Sequence, residues 1–218
     1  MRKTLKKITF PILKYGFRKY YKKSRKYVYE GIEVIVKPEV FPPHFTISTK
    51  LLLDHISNID LKDKTVLELG CGSGIIALFA ASKDANVTAS DINEIAISSL
   101  EKATIKNDLE LELIISDLFD TIKNQSFDYV IINPPYYPKN PTNDKERAWF
   151  CGENFEYFKA LFSQLFKRSD KTILMILSED CDIEHIKQMA SKNNLTMSSV
   201  LEKKVKGERN FIFNIFRS

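Results

Sequence analysis

Apolar residues along this chain recur in short runs that switch between two spacings. Ile32, Val34 and Val36 fall on every second position, the period of an extended chain with one buried face, and predict a strand. After a proline-rich turn from Pro38 to Pro43, Ser48 to Ile56 adopts helical spacing. From Lys64 onward, β-branched runs alternate with helical stretches. The pattern predicts strands at Thr65 to Leu69, Asn86 to Ser90, Glu112 to Ser116, Asp128 to Asn133 and Thr172 to Leu177, and closing strands at Met197 to Lys203 and Phe211 to Phe216. Helices are predicted at Ile75 to Ser82, Glu94 to Asn107, Phe155 to Phe166 and Ile183 to Ser191. Strands that alternate with helices in this way make a doubly wound, Rossmann-like α/β sheet. In such folds ligands sit beyond the carboxyl ends of the strands, where strand order reverses, so the residues that end strands carry the functional question.

Length and charge narrow the picture. A chain of 218 residues, 44% of them hydrophobic, suffices for one substantial core and not several. The net charge of +5 is unevenly spread: residues 1–26 hold eleven Lys and Arg and no Asp or Glu. The expected organisation is a basic N-terminal arm over residues 1–30 and a catalytic domain over 31–218. No apolar stretch approaches the roughly 20 residues that span a bilayer, and the run from Ile8 to Leu13 is short for a signal peptide, so a cytoplasmic protein is expected. Cys71, Cys151 and Cys181 are odd in number and widely spaced. They suggest neither a disulfide framework nor a metal site, and they fit a reducing compartment.

Four strand ends are chemically marked. The first core strand runs into Gly70-Cys71-Gly72-Ser73-Gly74 ahead of a helix. Glycines there let the backbone turn tightly and bring free N–H groups close to a ligand. A dinucleotide fingerprint would place its third glycine at position 75, which is Ile75, so a nicotinamide enzyme is disfavoured. Glu68 adds a carboxylate that would repel a pyrophosphate and favour the sulfonium and ammonium of S-adenosyl-L-methionine. Asp91, followed by Ile92, ends the next strand about 20 residues beyond the glycines, where an acidic side chain accepts ribose hydroxyls. Asp117 could accept from an adenine amine, with Leu118 against the ring. Glycine-rich turns are common in α/β proteins, however, and Asp91 and Asp117 could equally cap following helices.

The fourth strand ends in Asn133-Pro134-Pro135-Tyr136. Two prolines fix the backbone, the Asn133 amide and Pro134 carbonyl are acceptors, and Tyr136 offers a flat face, a combination suited to a planar amine. The lone pair of such a nitrogen is delocalised. Two acceptors holding its N–H groups would orient that pair and stabilise the positive charge that develops on methylation.

Over Gly31 to Ser178, the stretches Val66 to Gly74, Ser116-Asp117-Leu118-Phe119 and Asn133 to Tyr136 resemble the class I methyltransferases that act on planar amino groups. The resemblance is closest to the release-factor glutamine methyltransferases and their small-domain relatives. It implies a seven-stranded, mostly parallel sheet with helices on both faces. It also implies acceptor binding by Asn133 and Pro134, and S-adenosylmethionine binding by Gly70, Gly72, Asp91 and Asp117. Pro42-Pro43-His44-Phe45-Thr46 matches the family's Pro-Arg-Pro-Glu-Thr stretch loosely.

Two acceptors follow: a protein glutamine, from the resemblance, or an adenine or guanine amine in RNA or DNA. The second rests on basic residues 2–26 with Tyr15, Phe17, Tyr20, Tyr21, Tyr27 and Tyr29 interleaved, since cations bind phosphates and aromatics stack on bases. A solvated terminus, or a basic helix on the core or on an anionic membrane, reads the arm equally well. A non-catalytic cofactor-binding regulator is opposed by the intact Asn133 to Tyr136. Trp149, Phe150, Phe155 and Tyr157 line an acceptor pocket or pack in the core, and His44 and Phe45 approach the site from the preceding loop or lie at the surface.

Overall fold

A computed structural model describes residues 22–44, 46–122 and 125–218. Most of the basic segment, with Tyr15, Phe17, Tyr20 and Tyr21, and also Phe45, lies outside the described residues. The chain enters as an antiparallel hairpin, β1 (Arg25–Tyr29) and β2 (Ile32–Val36), with Tyr27 opposite Val34. The boundary expected at residue 30 therefore falls in the turn of a hairpin, at Glu30 and Gly31, both with positive φ. Helix α1 (Ile47–Ile56) follows, and then the sheet: β3 (Thr65–Leu69), α2 (Ile75–Ala81), β4 (Asn86–Asp91), α3 (Glu94–Asn107), β5 (Glu112–Ile115), β6 (Tyr129–Ile132), α4 (Asp144–Arg147), α5 (Glu156–Leu165), β7 (Thr172–Ser178), α6 (Ile183–Lys192), β8 (Leu195–Val205) and β9 (Glu208–Arg217).

The sheet has seven strands in the order β5-β4-β3-β6-β7-β9-β8, parallel except where β9 runs antiparallel to both neighbours. Successive side chains of a strand point to opposite faces, and the apolar sets divide accordingly. Val66, Ile131, Leu174 and Ile176 enter a core with the hairpin, α1, α2 and α3. Leu67, Leu69, Val130, Ile132, Met175 and Leu177 enter a second core with α5 and α6. Both faces are covered, which is why the central strands read as near-continuous apolar runs.

The chain begins the sheet at its middle, at β3, builds outward to β5, and returns to the other side of β3 with β6. The reversal lies between β3 and β6, whose register pairs Leu69 with Ile132. Gly70 and Asn133 are the next residues of the two strands, so one step past the sheet edge they stand side by side. Among the described residues no helix is long and apolar enough to cross a membrane, and no cluster of side chains could hold a metal ion.

Candidate functional site

A cleft of about 590 Å³ opens at this reversal. It is lined by Glu68, Gly70, Cys71, Gly72, Asp91, Ile92, Asp117, Leu118 and Asn133, so nine positions singled out from the sequence converge there.

The glycine loop turns through three left-handed residues, Gly70, Gly72 and Gly74, with φ of 73°, 52° and 70°. Gly70 and Cys71 both donate their N–H to the Ser90 carbonyl at 2.8 Å, which ties the loop to the end of β4. A Cβ built on Gly70 would meet nothing within 4 Å, so the backbone borders open space where a ligand can approach closely. Gly74 is different. It does not line the cleft, and a Cβ there would come within 2.6 Å of Leu100 Cδ2, so packing against α3 requires the glycine.

Asp91 holds both sides of the loop. Its Oδ2 accepts from Gly72 N at 2.7 Å and its Oδ1 from Asn93 N at 2.9 Å. It does not cap α3; Asn93 does, with its own side chain accepting from Ile95 N at 2.9 Å. Each Asp91 oxygen keeps a further lone pair for a ligand hydroxyl. Burial raises its pKa, against the opposing effect of these backbone donors. Asp117 is exposed, and among the described residues its carboxylate accepts no hydrogen bond, nor does a helix begin there for it to cap. Leu118, beside it, is buried at φ 49°, a conformation that costs a non-glycine residue energy and holds its side chain at the cleft floor. Ile92 keeps 36% of its surface exposed over the same end of the cleft, an apolar face beside Asp91.

Glu68 is 5% exposed and accepts from Ala77 N at 2.7 Å. Ala77 belongs to the first turn of α2, whose N-cap residue Gly74 has no side chain to offer. The strand thus supplies the acceptor that the helix start lacks. Burial raises the Glu68 pKa well above the ordinary value, with Asp91 adding repulsion, and it raises the Cys71 thiol in the same way. A cation near Glu68 would reverse that penalty.

At the end of β6, the Asn133 amide nitrogen lies 3.4 Å from Thr49 Oγ1, and Asn133 Oδ1 accepts no hydrogen bond among the described residues. Pro134 is buried just outside the lining, and its carbonyl accepts no backbone bond among those residues. Tyr136 also stands outside the lining. It packs in the second core against Tyr137, ring centroids 4.8 Å apart, and burial raises its pKa, so its face is spent on packing. Of the other aromatics, Phe150 and Tyr157 line the cleft, Trp149 packs on Phe41, and Phe155 turns away onto His185. His44 is held at the hairpin, 2.8 Å from the Lys26 carbonyl and against the Tyr27 ring. Tyr27 and Tyr29 are occupied as well: Tyr29 meets Phe79 edge-on and donates to Asp54 at 3.2 Å, so neither is offered to a nucleic-acid base.

Sequence reasoning missed Thr49, Phe41, Asn140, Pro141, Asp144 and Arg147, all of which border the cleft. The loose match at Pro42-Pro43 pointed to a loop that does reach the cleft, but through Phe41 and not through His44.

The cleft presents a buried carboxylate at Glu68, a second at Asp91 with lone pairs to spare, and apolar side chains at Ile92 and Leu118 beside Asp117, with open space at Gly70. A cationic ligand that carries hydroxyls and a planar ring, such as S-adenosylmethionine, suits that chemistry. Comparisons with known proteins bear on the family and the cofactor. A protein of Methanocaldococcus jannaschii provisionally named protein N5-glutamine methyltransferase is 36% identical over 110 residues, 50% of this chain and 53% of that one. Ribosomal RNA small subunit methyltransferase C of Haemophilus influenzae is 41% identical over 91 residues, 41% of this chain and 27% of that one. The aligned part is thus about half, or less, of the length of these relatives. Among solved structures, the Thermus thermophilus 16S rRNA N2 G1207 methyltransferase in complex with AdoMet and guanosine superposes with a TM-score of 0.63 at 16% identity, over 88% of this chain and 50% of that one. A chain of the Encephalitozoon cuniculi Mtq2–Trm112 complex superposes with a TM-score of 0.60 at 20% identity, over 83% of this chain and 99% of that one. Residues 31–150, more than half of the chain, match one family model, and the chain belongs to that family, the methyltransferase small domain, on a class I S-adenosylmethionine-dependent methyltransferase fold.

Proposed function

We propose that this chain transfers a methyl group from S-adenosylmethionine to a planar amide or amino nitrogen, and that the acceptor is a glutamine-type amide of a protein. The observation that carries the reading is Asn133, one residue past β6 beside the glycine loop, with a side-chain oxygen that no described residue uses.

S-adenosylmethionine supplies, when bound, a methyl group on a cationic sulfur. Everything else falls to the chain. Gly70 and Gly72 border the ligand, Asp91 accepts its hydroxyls, Glu68 compensates positive charge, and Leu118 and Ile92 flank a flat ring. Asn133 Oδ1 and the Pro134 carbonyl accept the two N–H bonds of the acceptor nitrogen, which turns its lone pair toward the methyl. As the nitrogen–carbon bond forms and the carbon–sulfur bond breaks, with S-adenosylhomocysteine as the leaving group, the nitrogen would gain positive charge, which two fixed acceptors would stabilise more than they stabilise the neutral ground state, and one N–H proton would then pass to solvent. No strong base is needed, and proximity can contribute roughly 7–11 kcal/mol in favourable intramolecular systems.

The glutamine reading is supported by the M. jannaschii relative, and a protein acceptor by the likeness to a chain of the Mtq2–Trm112 complex, which is described as responsible for methylation of the eRF1 termination factor. A second reading, an exocyclic amine of an RNA base, is favoured by the match to ribosomal RNA methyltransferase C and by the eleven basic residues among 1–26. One experiment separates them. Purified protein is incubated with methyl-labelled S-adenosylmethionine and a lysate of cells lacking it, and the product is divided between protease and ribonuclease. Label lost to protease alone supports the glutamine reading. Label lost to ribonuclease alone replaces it with the RNA reading, and absence of label from both fractions removes both.

A further inference from the structure

A side-chain amide has a donor end and an acceptor end, and the hydroxyls around Asn133 decide which one faces the cleft. Thr46 Oγ1 lies 3.4 Å from the Pro42 carbonyl oxygen and 3.5 Å from that of Pro43. A carbonyl only accepts, so the Thr46 hydroxyl is the donor wherever its single proton is shared with that pair. Thr46 Oγ1 is also 3.2 Å from Thr49 Oγ1, and with its own proton committed it accepts there, which makes Thr49 the donor. Thr49 then has only lone pairs left for Asn133, 3.4 Å away. In that arrangement Asn133 turns its NH2 to Thr49 and leaves Oδ1 without a partner among the described residues. The direction of the whole relay is set by two proline carbonyls that cannot donate.

We infer that Thr49 is a positioning residue for the methyl acceptor: through the relay Pro42/Pro43–Thr46–Thr49, it holds Asn133 in the one amide orientation that offers an oxygen to the incoming N–H. The inference rests on Asn133 being the acceptor-binding residue, and it adds a basis for selectivity. An oxygen fixed in this way beside the Pro134 carbonyl accepts from a nitrogen that bears two hydrogens, a primary amide or an exocyclic amine. It repels a carboxylate, which has no hydrogen to give. Thr49 is 4% exposed and borders the cleft, so bulk water does not stand in for it. If Thr49 loses its hydroxyl, the amide gains freedom to flip, and the flipped form presents a donor to a donor.

Thr49→Val keeps the shape and removes the hydroxyl, Thr49→Ser keeps the hydroxyl, and Thr46→Val removes the middle of the relay. Transfer from methyl-labelled S-adenosylmethionine into the lysate is measured as maximal rate and as KM for S-adenosylmethionine, with its Kd taken from calorimetry. The expected result is a maximal rate lowered about tenfold or more in Thr49→Val, an unchanged Kd, and recovery to within about twofold in Thr49→Ser. A Thr49→Val enzyme with full maximal rate, or a loss that Thr49→Ser does not restore, overturns the inference. A readout independent of activity is the Asn133 side-chain amide resonance in nitrogen-labelled protein, identified by its disappearance in Asn133→Asp. It should shift in Thr49→Val and Thr46→Val and stay near its place in Thr49→Ser. If no lysate component takes label, the proposed function fails while this resonance still decides the relay: an unmoved signal in Thr49→Val refutes it.

Discussion

The Glu68 carboxylate and the Ala77 amide, nine positions apart and on different elements, are joined by a 2.7 Å hydrogen bond beneath the glycine loop. One side chain thus completes the first turn of α2 and borders the cleft that the turn helps to form. Its pKa is raised by burial above the ordinary 4.5, and that of Asp91 above 3.8. Between the ordinary and the raised values, the folded state binds more protons than the unfolded chain. Stability is therefore fully present below the ordinary values and falls as pH rises through the raised ones. Urea unfolding of the ligand-free protein across that range should show this decline, and Glu68→Gln, which keeps an acceptor for Ala77, should flatten it. Cationic S-adenosylmethionine should draw the proton off Glu68. Calorimetry in buffers of different ionisation enthalpy then records proton release on binding in the native protein and less in Glu68→Gln.

The three loop glycines divide into two kinds, and alanine substitution should distinguish them. Gly74→Ala drives a methyl into Leu100 on top of a left-handed backbone, so it should destabilise by about 1–3 kcal/mol for overpacking and about 1–2 for the conformation. In a Leu100→Ala background, itself destabilised because Leu100 is fully buried, Gly74→Ala should cost only the conformational part. Gly70→Ala carries the backbone cost alone, since its Cβ meets nothing, but the methyl enters the cleft. Its loss should appear chiefly in S-adenosylmethionine affinity. Equal Tm and equal affinity for the two variants would show that the glycines share one role.

Much of this arrangement was legible in the sequence because the signals were local. Thr65–Leu69 and Glu94–Asn107 end where their residues predict, the first against Gly70 and the second at Asp108, which takes φ 54°. The strand ends that matter, Glu68, Asp91, Asn133, are marked by polar residues set in apolar runs. β1 was hidden because Arg25 and Lys26 precede its alternating tyrosines, and charge outweighed the two-residue period. Tyr27 and Tyr29 consequently read as candidates for base stacking, although they pack on His44 and Phe79. Gly74 and Tyr136 were grouped with functional neighbours by adjacency, whereas what they touch depends on α3 and on the second core, far away in sequence. Thr49 left no trace at all. Its proposed part depends on the direction of hydroxyl protons between helix α1 and the end of β6, 84 residues apart.

Asp91 should separate cofactor binding from chemistry. Its two oxygens face two backbone donors, at Gly72 and Asn93. Asp91→Asn replaces one acceptor by an NH2 that must confront one of those N–H groups, at a cost of about 1–3 kcal/mol for the donor left unpaired. S-adenosylmethionine affinity should fall by about tenfold or more, while turnover at saturating cofactor changes little. A fall in turnover at saturation with unaltered affinity would move Asp91 from cofactor binding to the acceptor side. Asn133→Ala should give the opposite split.

The chain's single tryptophan offers a direct view of the cleft mouth. Trp149 and Phe41 meet at 4.8 Å between ring centroids, tilted by 52°. Phe41 belongs to the loop that leads to Thr49, and Trp149 to the segment that follows the acceptor residues. That segment is fastened to Tyr137, whose N–H donates to the Trp149 carbonyl at 3.1 Å and whose carbonyl accepts from Cys151 N at 3.0 Å. The contact therefore joins two segments that each contribute residues to the cleft lining, Phe41 from one and Ala148 and Phe150 from the other. Tryptophan emission should change when an acceptor or S-adenosylmethionine binds, and Phe41→Ala should shift the ligand-free emission to longer wavelength as the indole gains water. An aromatic pair contributes about 0.5–1.5 kcal/mol, so this variant should stay folded. Its maximal rate should hold while KM for the acceptor rises, because a looser mouth orders the acceptor less. Emission that ignores both ligands would mean that the two segments stay apart from the binding events, and Phe41 and Trp149 would then be packing residues only.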